Sequence, residues 1–196
     1  MNVKRIALLG VPVLALAAVL PLSATARGSQ HVRWDIVSLV GGGPPGPLNP
    51  GGMASAKAPD GDTITLTGHG TFVAPNGSNG GSGAVTGGGT WVTASGSGTY
   101  VVKELVTWVF ANHASQTPTF VDNIGNSADR ANGTAVLRVR FSDGQSGVLT
   151  VGCHGPGAPP GIFEGIATTK GYKTYYASED PVGGVDANRT LFHIVK

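Results

Sequence analysis

Glycine interrupts this chain so often that no long helix fits between one glycine cluster and the next. The 196 residues include 32 glycines and 13 prolines, and only 12% of them are charged. The runs between the glycines are short and rich in valine, threonine and aromatic residues, which favour strands. The sequence therefore predicts an all-β fold with glycines at tight turns and bends.

The N-terminal segment has the three parts of a secretory signal peptide. Lys4 and Arg5 precede an apolar run over residues 6–22, and small residues follow it up to Ala26. Two prolines interrupt the run, and its unbroken part is shorter than the roughly 20 apolar residues that span a bilayer. We expect cleavage after Ala26, a secreted or periplasmic location, and no membrane anchor in the mature protein.

The expected division of the chain is a signal peptide over residues 1–26 and one β-rich domain over residues 27–196. Without the two basic residues of the signal, 11 basic side chains balance 11 acidic ones. A net charge near zero does not favour the clustered positive surface that binds phosphate backbones, so no nucleic-acid partner is expected. The remaining length suits one domain with a core of its own.

Strand-length segments follow one another along this domain. The first covers residues 31–40, and the Pro- and Gly-rich residues 41–52 predict a long exposed loop. Glycines then precede a threonine and an aromatic residue three times, which is typical of successive strands in a meander. The three copies are residues 68–72, 87–91 and 96–100. The longest strand is predicted over residues 100–110.

A hairpin is predicted over residues 134–152. Asp143 and Gly144 favour a two-residue type I′ turn, which would pair Val139 with Val148. In this register both faces of the hairpin carry apolar residues. Such a sheet is either closed into a barrel that is packed outside as well, or sandwiched.

The later segments complete the predicted architecture. Residues 111–133 form a long polar connection, which indicates a lid or rim. Further strands are expected over residues 162–170 and 190–195, with a short aromatic stretch at 172–176 and a loop around Pro181 between them. The count predicts an antiparallel β-barrel of about eight strands, and a β-sandwich is the alternative.

One segment resembles a known family. Gly161-Ile162-Phe163-Glu164-Gly165 follows the strand-like run Gly147-Val148-Leu149-Thr150-Val151 and a turn. The arrangement resembles the late hairpin of the allene oxide cyclase and dirigent barrels, with Pro159 and Pro160 where those families carry glycines. The wider run, residues 147–166, is similar to a group of uncharacterised secreted bacterial β-proteins.

The resemblance to allene oxide cyclase-like and dirigent-like proteins implies an eight-stranded barrel around an apolar cavity. Such a cavity holds a small hydrophobic molecule, and the barrel steers a cyclisation or coupling by shaping that molecule. The resemblance also implies a homo-oligomer, either a dimer or a trimer.

Glu164 is the candidate catalytic residue, because it follows apolar residues in a predicted strand. If it faces a cavity, desolvation raises its pKa and makes it a general acid or base. If it faces water, it is an ordinary surface carboxylate. Several aromatic residues are candidates either for the core or for a ligand-binding surface: Trp34, Trp91, Tyr100, Trp108 and Phe163.

Other reactive residue types give weaker signals. Cys153 is the only cysteine, so no internal disulfide is expected, and its apolar neighbours favour a small buried side chain. The five histidines do not have zinc-site spacing, and no nucleotide-binding motif is present, so neither a metal nor a cofactor is expected. Arg138 and Arg140 share a strand face and would either pair with Glu104 or bind an anion.

Two functions stay open from the sequence. One is a secreted β-barrel that binds a small hydrophobic molecule, with cyclase or isomerase activity as an extension. The alternative is a non-enzymatic cell-envelope or protein-interaction module. A cavity would favour the first, and a solid core with an exposed apolar patch would favour the second. Whether the domain catalyses a reaction is not decided by the residue pattern.

Overall fold

The computed structural model describes residues 28–39, 41, 43–75, 80–179 and 188–195. The expected signal peptide and the loop around Pro181 lie outside this part of the chain. Within it the backbone forms fourteen strands and one 3-10 turn. The elements are β1 (Gln30–Leu39), β2 (Pro47–Pro50), β3 (Ala54–Lys57), β4 (Thr63–Leu66), β5 (His69–Ala74), β6 (Val85–Thr93), β7 (Gly96–His113), β8 (Val121–Asp122), the 3-10 turn (Ser127–Asp129), β9 (Arg130–Phe141), β10 (Ser146–Cys153), β11 (Gly165–Lys170), β12 (Lys173–Tyr175), β13 (Ala177–Glu179) and β14 (Arg189–Val195).

Six of the strands close into an antiparallel barrel. Around the ring, β1 pairs with β5, β5 with β6, β6 with β7, β7 with β9, β9 with β14, and β14 with β1. Outer strands β10, β11 and β12 extend the sheet from β9, and β4, β3 and β13 extend it from β6. The predicted all-β barrel is confirmed. The ring has six strands and not the expected eight or so, because some of the predicted strands are outer strands. None of the described residues forms a helix long and apolar enough to cross a membrane.

The meander prediction is confirmed, because the three glycine-containing copies lie in β5, β6 and β7, which are neighbours in the sheet. Glycine is required where β5 and β6 meet. Gly87 has a φ of 109° and faces Gly70 across the ladder. A Cβ atom on Gly87 would lie 2.3 Å from the His69 carbonyl oxygen and 2.5 Å from the Gly70 Cα. The two strands could not keep this distance with a larger residue.

The substitution Gly87→Ala is expected to lower the free energy of unfolding by about 2–3 kcal/mol, from left-handed backbone strain plus overlap with β5. Gly144→Ala is the matched control, because Gly144 also has a positive φ of 89° but nothing within 4 Å of its Cβ position. The control should lose only about 1 kcal/mol. Urea unfolding of both variants measures the difference, and equal losses would contradict the tight contact.

The barrel interior is filled by aromatic side chains. Trp34, Phe72, Trp108 and Phe192 come from four strands of the ring, and each is at most 1% exposed. The ring of Trp108 lies 5.5 Å from Phe72 and 4.6 Å from Phe192, between ring centroids. These edge and tilted contacts cross the barrel and pack its centre.

A second aromatic cluster comes from the ring strands β6, β7 and β9 and is covered by Lys170 of the outer strand β11. Trp91 meets Phe141 edge-on at 6.1 Å, and Tyr100 lies 6.1 Å from the same ring. The Lys170 ammonium lies 4.0 Å from the centroid of Trp91 and forms an ion pair with Asp143. The cluster is therefore buried on one face of the sheet, whereas Val101 and Arg140 on the opposite face are exposed, so the expected packing on both faces is not seen here.

The predicted hairpin forms from β9 and β10, but its predicted register was wrong by one residue. Val139 pairs with Gly147, not with Val148. The turn has three residues, because Gly144 takes the left-handed conformation and donates its amide to the Phe141 carbonyl. A type I turn closed by a left-handed glycine adds one residue to the connection, which the Asp-Gly signal alone did not distinguish from a type I′ turn.

The shift decides which side chains of β10 are buried, because successive residues of a strand point to opposite faces. Leu149 and Val151 join Leu137 on the buried face, and the other face of the hairpin is mainly polar. On that outer face Arg138 pairs with Glu104 at 2.9 Å, as predicted for this pair, and both side chains are about half exposed.

Three further predictions need correction. The supposed loop over residues 41–52 contains the short strand β2, whose prolines stand at its two ends and leave the central residues to pair with the edge of β1. The strand predicted from residue 162 begins only at Gly165, whose φ of 100° ends the preceding loop. Within 111–133, β7 continues to His113 and β9 begins at Arg130, which shortens the predicted connection.

Candidate functional site

A cavity of about 420 Å³ opens at the surface beside β14. It lies where the end of β1, the segment after β7, the start of β9 and the turn after β10 meet. The predicted rim segment contributes Ala114, Pro118 and Phe120 to its wall. Most of the lining is apolar, and the other main apolar side chains are Leu39, Leu48 and Leu191. The barrel centre is filled, so the cavity lies outside the ring of six strands.

Glu164 contributes the carboxyl group of the cavity. Its position is set by Gly165, which turns the chain into β11 directly after it. The His154 amide donates to Oε2 at 2.6 Å, and the Thr190 amide donates to Oε1 at 2.7 Å. The Thr190 hydroxyl lies 3.4 Å from Oε1. Two backbone donors from different segments therefore hold the carboxyl in one orientation.

The surroundings of Glu164 place its titration near neutral pH. Burial raises the pKa of Glu164 to about 7, against the opposing effects of the Thr190 and His154 amides and the Arg189 charge. Both protonation states are therefore populated at neutral pH. A carboxyl group with such a pKa can act as a general acid or as a general base.

Two arginines from neighbouring strands also line the cavity. Arg130 is only 2% exposed and donates to the Ser127 carbonyl at 3.2 Å and to the Gln116 side chain at 3.3 Å. Its Nε lies 3.9 Å from the Asp122 carboxylate. Arg189, at the start of β14, has a buried Nε without a hydrogen-bond partner among the described residues.

Asp122 is the negatively charged residue that lies next to the Arg130 guanidinium. Its carboxylate accepts hydrogen bonds from the Ile124 and Gly125 amides, each at 3.0 Å, and lies 2.9 Å from His193 Nε2. Burial alone would raise its pKa, but the His193 contact and these two amides hold the pKa of Asp122 below its ordinary value. Asp122 is therefore ionised at neutral pH and balances the Arg130 charge.

Cys153 forms part of the cavity wall. Burial and the charge of Glu164 raise the pKa of the Cys153 thiol far above its ordinary value. A protonated thiol is a poor nucleophile, so the sulfur serves as an apolar surface, as the sequence indicated. The neighbouring His154 places its Nδ1 2.6 Å from the Ile162 carbonyl oxygen, which anchors the turn that carries Glu164.

Of the predicted site residues, Glu164 lines the cavity. The predicted ligand-binding aromatics lie elsewhere: Trp34 and Trp108 in the barrel centre, Trp91 and Tyr100 in the second cluster, and Phe163 against Gly152. Their role in ligand binding stays a prediction that the cavity does not support.

Sequence reasoning missed three residues near the carboxyl group, His154, Arg189 and Thr190, and also Arg130 on the cavity wall. They belong to β9, the turn after β10 and β14. No spacing in the chain links these residues, because strand pairing and the turn bring them together. The one local signal was the placement of two arginines at the start of apolar strands.

Comparison with protein-family models, with curated proteins and with solved structures found no match. Among the residues that the structure describes, no group of three or more His, Cys, Asp and Glu side chains could hold a metal ion. The features of this chain that indicate a function are therefore the geometry of the cavity and its charged groups.

Proposed function

We propose that the cavity binds a small, mostly apolar molecule, and that Glu164 exchanges a proton with it. The observation that carries this proposal is a carboxyl group with a pKa of about 7 on the wall of an otherwise apolar cavity. Concave, mainly apolar sites with few polar groups are the usual form of small-molecule sites. A perturbed carboxyl in such a place is a candidate for acid–base chemistry.

The reaction class that fits this arrangement is isomerisation or cyclisation. The neutral carboxyl can give a proton to one atom of the ligand, and the resulting carboxylate can take a proton from another atom. No atoms are gained or lost overall, so one group that changes its protonation state is sufficient. Fixed backbone donors on both oxygens keep the carboxyl in place during the two transfers.

The location proposed for this activity is outside the cytoplasm. That part of the proposal comes from the N-terminal segment, with its basic residues followed by an apolar run. A small apolar molecule in an extracellular or periplasmic space is a suitable ligand for a domain with an accessible cavity.

The binding step can be tested with the neutral apolar probe N-phenyl-1-naphthylamine. Its fluorescence should increase on addition of the protein, and the melting temperature of the protein should rise with probe concentration. Ala158→Trp should weaken probe binding about tenfold or more, because Ala158 lines the cavity on an accessible loop and the larger side chain would occupy it.

Ala94→Trp is the matched control for this experiment, because Ala94 is exposed in the turn between β6 and β7. It should leave probe binding unchanged. An unaltered melting temperature at saturating probe, or equal binding by both variants, would place the probe outside the cavity and contradict the proposal.

A second candidate function is supported by exposed valines on β6 and β7. Val92 is 52% exposed, Val101 44% and Val109 46%. A contiguous apolar patch on an outer sheet surface is the usual mark of a protein-interaction site. Concentration-dependent self-association in sedimentation experiments, together with an empty cavity in the probe assay, would favour this function over ligand binding.

A further inference from the structure

Among the described residues, the two arginines that line the cavity differ in their charge partners. The Arg130 charge is met by the ionised Asp122, at 3.9 Å. The Arg189 charge has no such partner, because no carboxylate of the described chain lies within 4.0 Å of it. Its effect on the pKa of Glu164 shows that the two groups interact, but they form no ion pair.

The guanidinium of Arg189 also has an unused donor. Its Nε is buried and donates no hydrogen bond to any polar atom in the part of the chain that the structure describes. A buried donor without a partner destabilises the folded protein, and more so when the group is charged. A negatively charged ligand oxygen in the cavity would pair with the guanidinium charge, through the part of the Arg189 side chain that lines the cavity.

We propose that the ligand carries an anionic group, a carboxylate or a phosphate, which binds the Arg189 guanidinium. The apolar body of the ligand then lies against Leu39, Leu48 and Phe120 on the other walls. This inference rests on the proposed function and names its ligand class: an amphipathic molecule with an apolar body and a negative head group.

The geometry of a guanidinium favours this class. Its planar fork can donate two parallel hydrogen bonds to a carboxylate or to a phosphate, and Arg189 lines the same cavity as Glu164. The anionic head group therefore binds beside the acid–base group. The neutral form of Glu164 adds no repulsion there and can donate a hydrogen bond to the bound anion.

Four probes with the same ten-carbon chain can test the inference: decanoate, decyl phosphate, decanol and decylamine. Their affinities for the intact mature protein are measured by titration calorimetry at one ionic strength. One of the two anions should bind at least about tenfold more tightly than decanol, and decylamine should bind more weakly than decanol. The comparison of decanoate with decyl phosphate identifies the preferred head group.

Arg189→Gln should reduce the affinity of the anions to about that of decanol and leave decanol binding unchanged. Arg189→Lys, which keeps the charge but not the fork, should retain part of the preference and serves if the glutamine variant does not fold. Arg140→Gln is the matched control, because Arg140 is exposed on β9 away from the cavity. It should keep the full preference for anions.

The outcomes separate the two proposals. If decanol binds as tightly as the anions, or if the Arg189 variants keep the preference, the anionic head group is wrong while ligand binding stands. If none of the four probes binds and the naphthylamine probe also fails, the proposed function is wrong and the inference falls with it.

Discussion

Replacement of Trp108 by alanine is expected to lower the free energy of unfolding by about 4 kcal/mol, within the range of 3–5 kcal/mol that is typical of buried large aromatic residues. Trp108 is fully buried at the barrel centre, in contact with Phe72 and Phe192. Its indole Nε1 also donates to the Gln30 side chain at 3.0 Å. The substitution removes these contacts and leaves a cavity where three strands of the ring converge.

Urea denaturation at neutral pH measures this loss. Trp108→Phe should lower the free energy of unfolding by less, because a ring remains to fill part of the volume. Tyr172→Ala is the control, since Tyr172 is fully exposed, and it should change stability by less than about 0.5 kcal/mol. A loss below about 1 kcal/mol for Trp108→Ala would mean that the barrel centre is not packed by this side chain.

Replacement of Glu164 by glutamine is expected to change how stability depends on pH. Burial raises the pKa of this carboxyl from 4.5 to about 7 in the folded protein. Between these values the folded state holds a proton that the unfolded state has released, so the wild-type protein loses stability as the pH rises from about 4.5 to 7. The cost is largest above pH 7, where it reaches about 3 kcal/mol.

The glutamine variant cannot titrate, so its free energy of unfolding relative to wild type should rise by about 3 kcal/mol between pH 4 and pH 8. Denaturation midpoints at several pH values give this difference curve. Glu104→Gln is the control, because Glu104 is about half exposed and pairs with Arg138 on the outer surface. A flat difference curve for Glu164→Gln would show that its carboxyl titrates at an ordinary pKa, which would remove the basis for acid–base chemistry at neutral pH.

Much of the architecture could be predicted from local patterns. Glycines that recur at strand-length intervals predicted the all-β class, and the Thr-aromatic copies predicted three adjacent strands, now seen as β5, β6 and β7. The β-branched run after Tyr100 predicted the longest strand, and residues 190–195 predicted the last one. These predictions succeed because strand propensity and turn residues act over a few neighbouring positions.

The site could be predicted only in part. Glu164 was a candidate because a carboxylate among apolar residues is unusual, but whether it faced water or a cavity was open. The answer depends on the Thr190 amide and on Arg189, which lie in the last strand, and on the turn at His154. A pKa depends on every charge and every buried atom within a few ångströms, and these come from segments far apart in the chain.

Local sequence therefore determined the class of fold, the meander of β5, β6 and β7, and one candidate residue. The tertiary structure decided the rest: the one-residue register of the β9–β10 hairpin, the filling of the barrel centre by Trp34 and Trp108, and the cavity beside β14 where Glu164 and Arg189 meet. The physical reason is the distance along the chain over which each kind of interaction acts. Backbone preferences act between neighbours in the chain, whereas burial, desolvation and charge pairing act between neighbours in space.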